Sequence, residues 1–338
     1  GSIDLVDKLT QRLLAANGFS CRTFRRPFEG LNFVTGLLDQ EETTTGLNRL
    51  AKIIAHSGLC SRRDAERMIF EGRVSVHGEV VTDPATSLPD WQGIAVDGNP
   101  LSAPPDVQLY RFYKPLGAVV TDRDPEGRKT VYDLLPKMGP GAPRLLAVGR
   151  LDINSEGLLL FTTSPVLKRK LELPDTGLSR IYRVRAHGVV TEKQLAALKN
   201  GVTIDDITYG SVTVERETLK ETGLNRWYRF TLTEGKNREI RKLAQHLGLQ
   251  VNRLIRVSYG GLTLGSLARM EMKEVSRARM FELLMATMGA YISNYCAKAQ
   301  PMPIRHIKTY QAGHTHLSNK ARRERWALGY TARRTVSR

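Results

Sequence analysis

Cysteine is nearly absent: Cys21, Cys60 and Cys296 are odd in number, far apart and never in a C-x-x-C pair, so neither a disulfide framework nor a zinc ribbon is encoded. Reduced thiols are expected. Long apolar runs are missing as well. The longest, Gly157 to Phe161 and Phe281 to Ala290, have the length of core segments and fall short of the roughly 18 residues a membrane span needs. The glycine clusters Gly139-Pro140-Gly141 and Gly260-Gly261 form neither G-x-G-x-x-G nor a Walker loop, so nothing supports a nucleotide cofactor, and none is expected. His314 and His316 make an H-x-H without a cysteine or carboxylate cluster beside it. They read as solvated histidines, and no metal is expected. Acid is in short supply too: 34 Asp+Glu face 51 Lys+Arg, a formal charge of +17, with 41% apolar residues. That balance describes a folded protein with a basic surface, for which nucleic acid is the first partner to consider; a membrane surface is the other candidate for such charge, but with no spanning run none is expected as a partner.

At about 150 residues per domain, 338 residues imply two domains with extensions. The pattern divides the chain into an N-terminal extension (1–46), a small module (47–106), a larger domain (107–290) and a basic tail (291–338). The extension begins with a short helical pattern, Leu5, Leu9 and Leu13, and ends in the linker Glu41-Glu42-Thr43-Thr44-Thr45-Gly46. In the module, Leu50, Ile53 and Ile54 recur at helical spacing. Ser61, three residues before Asp64, reads as the cap of a helix over Arg62 to Glu71. Alternating segments at Val74/Val76 and Ile94/Val96 carry the turn signals His77-Gly78 and Asp97-Gly98. Arg49, Lys52, Arg62, Arg63, Arg67 and Arg73 fall on one basic side, which reads as lacking acidic partners and so as a phosphate-contacting face.

In the larger domain strands are expected over 109–113, 145–148, 158–162, 181–187, 211–215 and 227–233, and helices over 193–200 and 238–247. An α+β fold with a mixed, mainly antiparallel sheet follows. From Ala297 onward ten Lys/Arg meet only Glu324, so 10 − 1 = +9 of the whole +17 lies there, interleaved with Tyr310, Trp326 and Tyr330. Such a tail suits bases or a ribonucleoprotein surface.

Residues 49 to 81, from Arg49-Leu50-Ala51-Lys52 through Ser61-Arg62-Arg63 to Gly72-Arg73-Val74 and on to Val81, resemble an S4 RNA-binding domain. "GRLDINSEGLLLFTT" (Gly149 to Thr163) resembles the catalytic motif of the pseudouridine synthases of the RsuA/RluB family. "YKPLGAVVTDRDPEGRKTVYDLLP" (Tyr113 to Pro136) and "EGKNREIRKLAQHLGLQVNRLIRVSYG" (Glu234 to Gly260) match the same family in the right order. With the S4 unit the resemblance covers about residues 47 to 282.

It implies conversion of uridine to pseudouridine in RNA, an isomerisation that needs no metal or cofactor. Asp152 would start the reaction, as nucleophile or as base. By itself an Asp in a turn is ordinary turn chemistry; the motif singles it out. A carboxylate removed from water stays charged only beside a cation, and Arg241 matches the family's basic partner. Tyr182 matches the tyrosine that packs on the target base, with Arg180 where the family often has Lys. Arg150 would contact RNA around a flipped nucleotide, and Lys236 and Arg238 would add RNA contacts. Lys114-Pro115 reads as shaping the sheet rather than reacting.

Ser164-Pro165 replaces the family's usual Asp-Gly, so the loop after the catalytic strand is expected to sit differently. The substrate implied is ribosomal RNA, of the large subunit by the closest motifs, with ribosomal or pre-ribosomal proteins as further partners of the tail. A mitochondrial or other organellar ribosome is the expected setting, and bacterial cytoplasm the alternative. The rival reading is a non-catalytic RNA-binding ribosome assembly factor on the same fold.

Overall fold

The structure, a computed structural model, describes residues 46–217 and 223–298, with 288–298 as backbone only. The N-terminal helical pattern and linker, Cys21, the two tail histidines and the basic tail beyond 298 lie outside the described residues.

The small module forms β1 (Asn48–Arg49), α1 (Leu50–His56), α2 (Arg62–Phe70), β2 (Val74–Val76), β3 (Glu79–Val80), β4 (Ser87–Leu88), β5 (Ile94–Val96) and β6 (Asn99–Pro100). Ser61 caps α2 as its spacing predicts: its Oγ accepts the Asp64 N–H at 3.0 Å and donates to Asp64 Oδ2 at 2.7 Å. Both hairpins of the antiparallel sheet β3-β2-β5-β6 turn on two residues with positive φ, His77-Gly78 (50° and 89°) and Asp97-Gly98 (51° and 80°). That is the primed-turn chemistry expected of X-Gly pairs. Leu50, Ile54, Ala65, Ile69, Val74 and Ile94 close the core.

The basic side of this module differs from the sequence reading. Arg62 pairs with Glu66 at 3.4 Å, Arg67 with Asp64 at 3.0 Å, and Arg73 with Asp97 at 2.7 Å and Glu71 at 3.2 Å. The acids stand three or four residues away along α2, or arrive through the β5–β6 turn, positions a tally of arginines overlooks. Lys52 donates to Asn48 Oδ1. Arg49 and Arg63 are exposed and make no ion pair with the described residues.

The larger domain is built on a nine-stranded sheet. Its strands are β7 (Leu109–Lys114), β8 (Leu146–Val148), β9 (Glu156–Thr162), β10 (Arg180–His187), β13 (Thr213–Arg216), β14 (Asn225–Leu232), β15 (Gln250–Tyr259), β16 (Leu262–Thr263) and β17 (Met272–Glu274); β11 (Val202–Ile204) and β12 (Ile207–Tyr209) form a separate hairpin. The main path runs β13-β14-β10-β15-β9-β7-β17, with β8 on β9 and β16 on β15. The sheet is antiparallel except where β9 meets β15, at Ile255↔Glu156 and Arg256↔Gly157. The expected α+β class and mixed, mainly antiparallel sheet are what the chain forms.

Four helices accompany it: α3 (Pro165–Glu172), α4 (Glu192–Ala197), α5 (Glu239–His246) and α6 (Arg277–Lys298). No helix among the described residues is long and apolar enough to cross a membrane. β9 is buried along its whole length because both of its faces are covered. Leu159 and Phe161 enter one core, with Val184, Phe230, Leu243 and Leu254; Leu158 and Leu160 enter the other, with Leu167, Leu171 and Leu284. A two-faced core strand reads as an unbroken apolar run, and Leu158 to Phe161 is that run.

Ser164-Pro165 is the start of a helix in the loop after β9. Ser164 Oγ accepts the Leu167 N–H at 3.1 Å and Pro165 opens α3, in the first turn, where a missing N–H costs nothing.

Candidate active site

A cleft of about 620 Å³ lies where three segments meet: the 149–155 loop between β8 and β9, the turn before α5, and the start of β10. Asp152, Arg150, Tyr182, Arg238 and Arg241 all line it. The fold therefore brings the catalytic residues expected from the motifs to one cavity.

The loop carrying Asp152 is anchored from below. Lys114, at the end of β7, is fully buried, and its Nζ donates to the carbonyls of Pro115 (3.0 Å), Asp152 (3.1 Å) and Ser155 (2.7 Å). Burial holds its pKa down at about 8 despite the attraction of Asp152 and Glu156. Ser155 N–H closes the turn on the Asp152 carbonyl at 2.9 Å, and Gly149 N–H is held by Glu172 at 2.8 Å. The Asp152 carboxyl, left free of these backbone duties, faces the cleft.

The cation on that carboxyl is not the expected one. Arg238 Nη1 stands 3.5 Å from Asp152 Oδ2. Arg241 makes no ion pair with Asp152 within 4.0 Å; its Nη2 donates to the Asn154 carbonyl at 2.7 Å, so it braces the same loop through the backbone. Both arginines come from one turn of chain. Arg238 sits at φ 52°, in left-handed geometry, immediately before α5, and this sharp entry sends it toward Asp152 while Arg241, on the helix proper, lies against the loop. Motif spacing cannot distinguish these two placements, because the difference lies in one backbone dihedral.

Glu239 closes that turn. Its Oε2 accepts the Lys236 N–H at 2.9 Å, and its own N–H donates to the Lys236 carbonyl at 3.1 Å. Burial, reinforced by neighbouring Glu234, pushes the Glu239 carboxyl up to about 7. Lys236, expected to meet RNA, is engaged with Glu234 Oε2 (2.5 Å) and the Thr208 carbonyl (2.8 Å). Arg150 is exposed and makes no ion pair with the described residues.

At the back of the cleft Arg180, already noted beside Tyr182, is joined by Arg256 and Tyr259, which sequence reasoning passed over. Arg256 (3% exposed) and Arg180 (8%) approach the Tyr259 ring at 5.1 and 4.9 Å. Arg180 donates to the Leu178 and Thr233 carbonyls, and Arg256 to the Leu158 carbonyl. Tyr182 is paired across strands with Arg256, so the tyrosine and this cationic floor are neighbours. The signal was present in "RLIRVSYG", where β15 follows Gly248, but Asn252 and Arg253 interrupt the apolar alternation and hid the strand.

Such a site, a carboxylate on a braced loop with a tyrosine and guanidiniums in a cleft, on a sheet preceded by an S4 module, defines an enzyme that acts on RNA. The RNA pseudouridylate synthase family matches residues 108–246, and the S4 domain family matches residues 48–89. An RNA pseudouridine synthase of Rickettsia felis is 43% identical over 230 residues, 68% of this chain and 97% of its own length. The ribosomal large subunit pseudouridine synthase B of Salmonella typhi is 43% identical over 222 residues, 64% of this chain and 75% of its own. A crystal structure of a pseudouridylate synthase shares the fold, with a TM-score of 0.50 at 23% identity, covering 70% of this chain and 99% of that one. The chain belongs to the RNA pseudouridine synthase family; it is an isomerase with RNA as substrate.

Proposed function

We propose that the chain isomerises uridine to pseudouridine in ribosomal RNA of the large subunit, with Asp152 as the carboxylate that starts the reaction. The N1–C1′ bond breaks, the base turns over, and C5 bonds to C1′. A proton leaves C5 and one ends on N1, so atoms balance and no electrons are exchanged. Asp152 acts as nucleophile or as base, Arg238 holds its charge, Arg241 and Lys114 hold its loop, and Tyr182 packs on the flipped base. Arg150, at the rim, meets the flanking RNA.

The observation that carries this reading is the Asp152 carboxyl in the cleft with a guanidinium at 3.5 Å and its backbone anchored by a buried ammonium. The Salmonella relative, named for the ribosomal large subunit, supports that target. Chemical mapping of pseudouridine in RNA from cells carrying Asp152→Asn tests it: a single large-subunit signal should vanish, and an unchanged profile would remove the assignment.

An organellar setting is supported by the tail that holds +9 of the +17 charge and by the third of the chain that lies outside the bacterial match; subcellular fractionation checks it. The same tail supports a second reading, assembly of ribosomes by holding RNA and ribosomal proteins. Under that reading Asp152→Asn would still sustain assembly while deletion of 297–338 would not.

A further inference from the structure

Strands β10, β14 and β15 turn Val184, Ala186, Tyr228, Phe230 and Leu254 into the first core. Alternation then directs Arg183, Arg185, Trp227, Arg229 and Arg253 to the opposite face, away from the cleft on which Tyr182 opens. The register sets Arg183 directly across from Arg229, and Arg185 across from both Arg253 and Trp227. Two like-charge pairs therefore face each other across adjacent strands, an arrangement that costs roughly 0.2–1 kcal/mol each.

Carboxylates offset this only in part. Glu217 takes Arg183 in a two-point contact (2.6 and 2.7 Å) and reaches Arg229 only at 4.0 Å. Glu156 takes Arg253 at 2.7 Å and Arg269 at 3.8 Å. Glu215 lies across from Arg229 on the edge strand. Among the described residues five guanidiniums thus meet three carboxylates, and Arg185 is exposed with no ion pair. Arg183 also lies over the Trp227 ring at 4.5 Å, which orients it for contact from outside.

We infer that this outward sheet face is a second RNA-contact surface, which grips the phosphate backbone of the substrate outside the nucleotide held in the cleft. Excess positive charge on an ordered pleated face attracts an anionic partner. Residues two apart on a strand, such as Arg183 and Arg185, stand about 6.7 Å apart, so the face presents its guanidiniums as a row. A protein partner would need an equally dense acidic surface; RNA is already this enzyme's substrate. Because the face and the cleft lie on opposite sides of the sheet, only an RNA larger than the element carrying the target can touch both. The inference rests on RNA being the substrate and is independent of the role given to Asp152.

The full-length Arg185→Glu/Arg229→Glu variant tests it, with an in vitro transcribed large-subunit ribosomal RNA domain and a short hairpin excised from it as probes. For the long RNA, affinity should fall about tenfold or more and the slope of log K against log salt should shrink by about two, near 0.9 for each phosphate no longer neutralised. Hairpin binding should not change, and Arg185→Lys/Arg229→Lys should retain long-RNA binding. Unchanged long-RNA binding overturns the inference, as does an equal loss on the hairpin, which would place the effect in the cleft or in folding. Asp152→Asn should keep the long-RNA affinity while losing pseudouridine, so the two readings fail separately.

Discussion

Lys114 and Glu239 show how much of the site rests on single buried ionisable groups. The Lys114 ammonium fills the space under the Asp152 loop and gathers three carbonyls. Lys114→Met would orphan them, and stability at pH 7 should fall by roughly 1–3 kcal/mol, with kcat falling as the Asp152 loop loosens. The pH dependence has a definite sign. Its folded pKa of about 8 lies below the ordinary 10.5, so between those values the unfolded chain binds more protons and this group makes stability rise with pH. Urea denaturation from pH 8 to 10.5 should show that rise in the wild type and not in Lys114→Met. Glu239 works the other way: its carboxyl is raised from 4.5 to about 7, so its contribution is full below pH 4.5 and is lost as pH climbs through 7. Glu239→Gln, neutral and of the same shape, should match the wild type at low pH and exceed it in denaturation midpoint at pH 8. Asp152, Tyr182 and Arg241 were legible as motif positions. Arg238 as the nearer cation was not, since one left-handed residue decides it.

Among the secondary-structure elements, the junction of β9 and β15 is the tightest point. Gly157 has φ 105°, and a Cβ there would stand 2.3 Å from the Arg256 carbonyl oxygen and 2.9 Å from its nitrogen. Gly157→Ala should therefore cost about 2–5 kcal/mol, from backbone strain and overpacking together, and should damage the cleft floor with it; thermal denaturation and single-turnover rates would show both losses. Ser164→Ala is the milder counterpart, removing one cap at about 1 kcal/mol, with little effect on turnover. The strands and helices with a clear apolar pattern or cap, whether alternating (β7, β10, β14), continuous (β9) or helical (α2, α5), lie close to where the pattern puts them. β15, with ten residues the longest of the described strands, was missed because Asn252 and Arg253 break its apolar alternation, and α3 because a Ser-Pro pair reads as a break when it is in fact a start.

The whole molecule joins two RNA-directed parts, and its charge is distributed less simply than the total suggests. In the S4 module Arg62, Arg67 and Arg73 already have carboxylate partners, whereas Arg49 and Arg63 make no ion pair with the described residues. Reversing Arg49 and Arg63 to Glu should lower the salt slope of RNA binding by about one for each phosphate they neutralise, while Arg62→Gln should change it less; filter binding across a potassium chloride series separates them. The order of the two parts, the α+β class and the basic character could be read along the chain, because turn chemistry, apolar period and net charge are properties of sequence neighbours; the motif residues, Asp152 among them, were legible only through their resemblance to a known family. Which guanidinium meets Asp152, which arginines are already neutralised and which strands line up their charges could not, and emerge only once the chain is folded. Those depend on backbone dihedrals and cross-strand register, which join residues as far apart as Glu156 and Arg253.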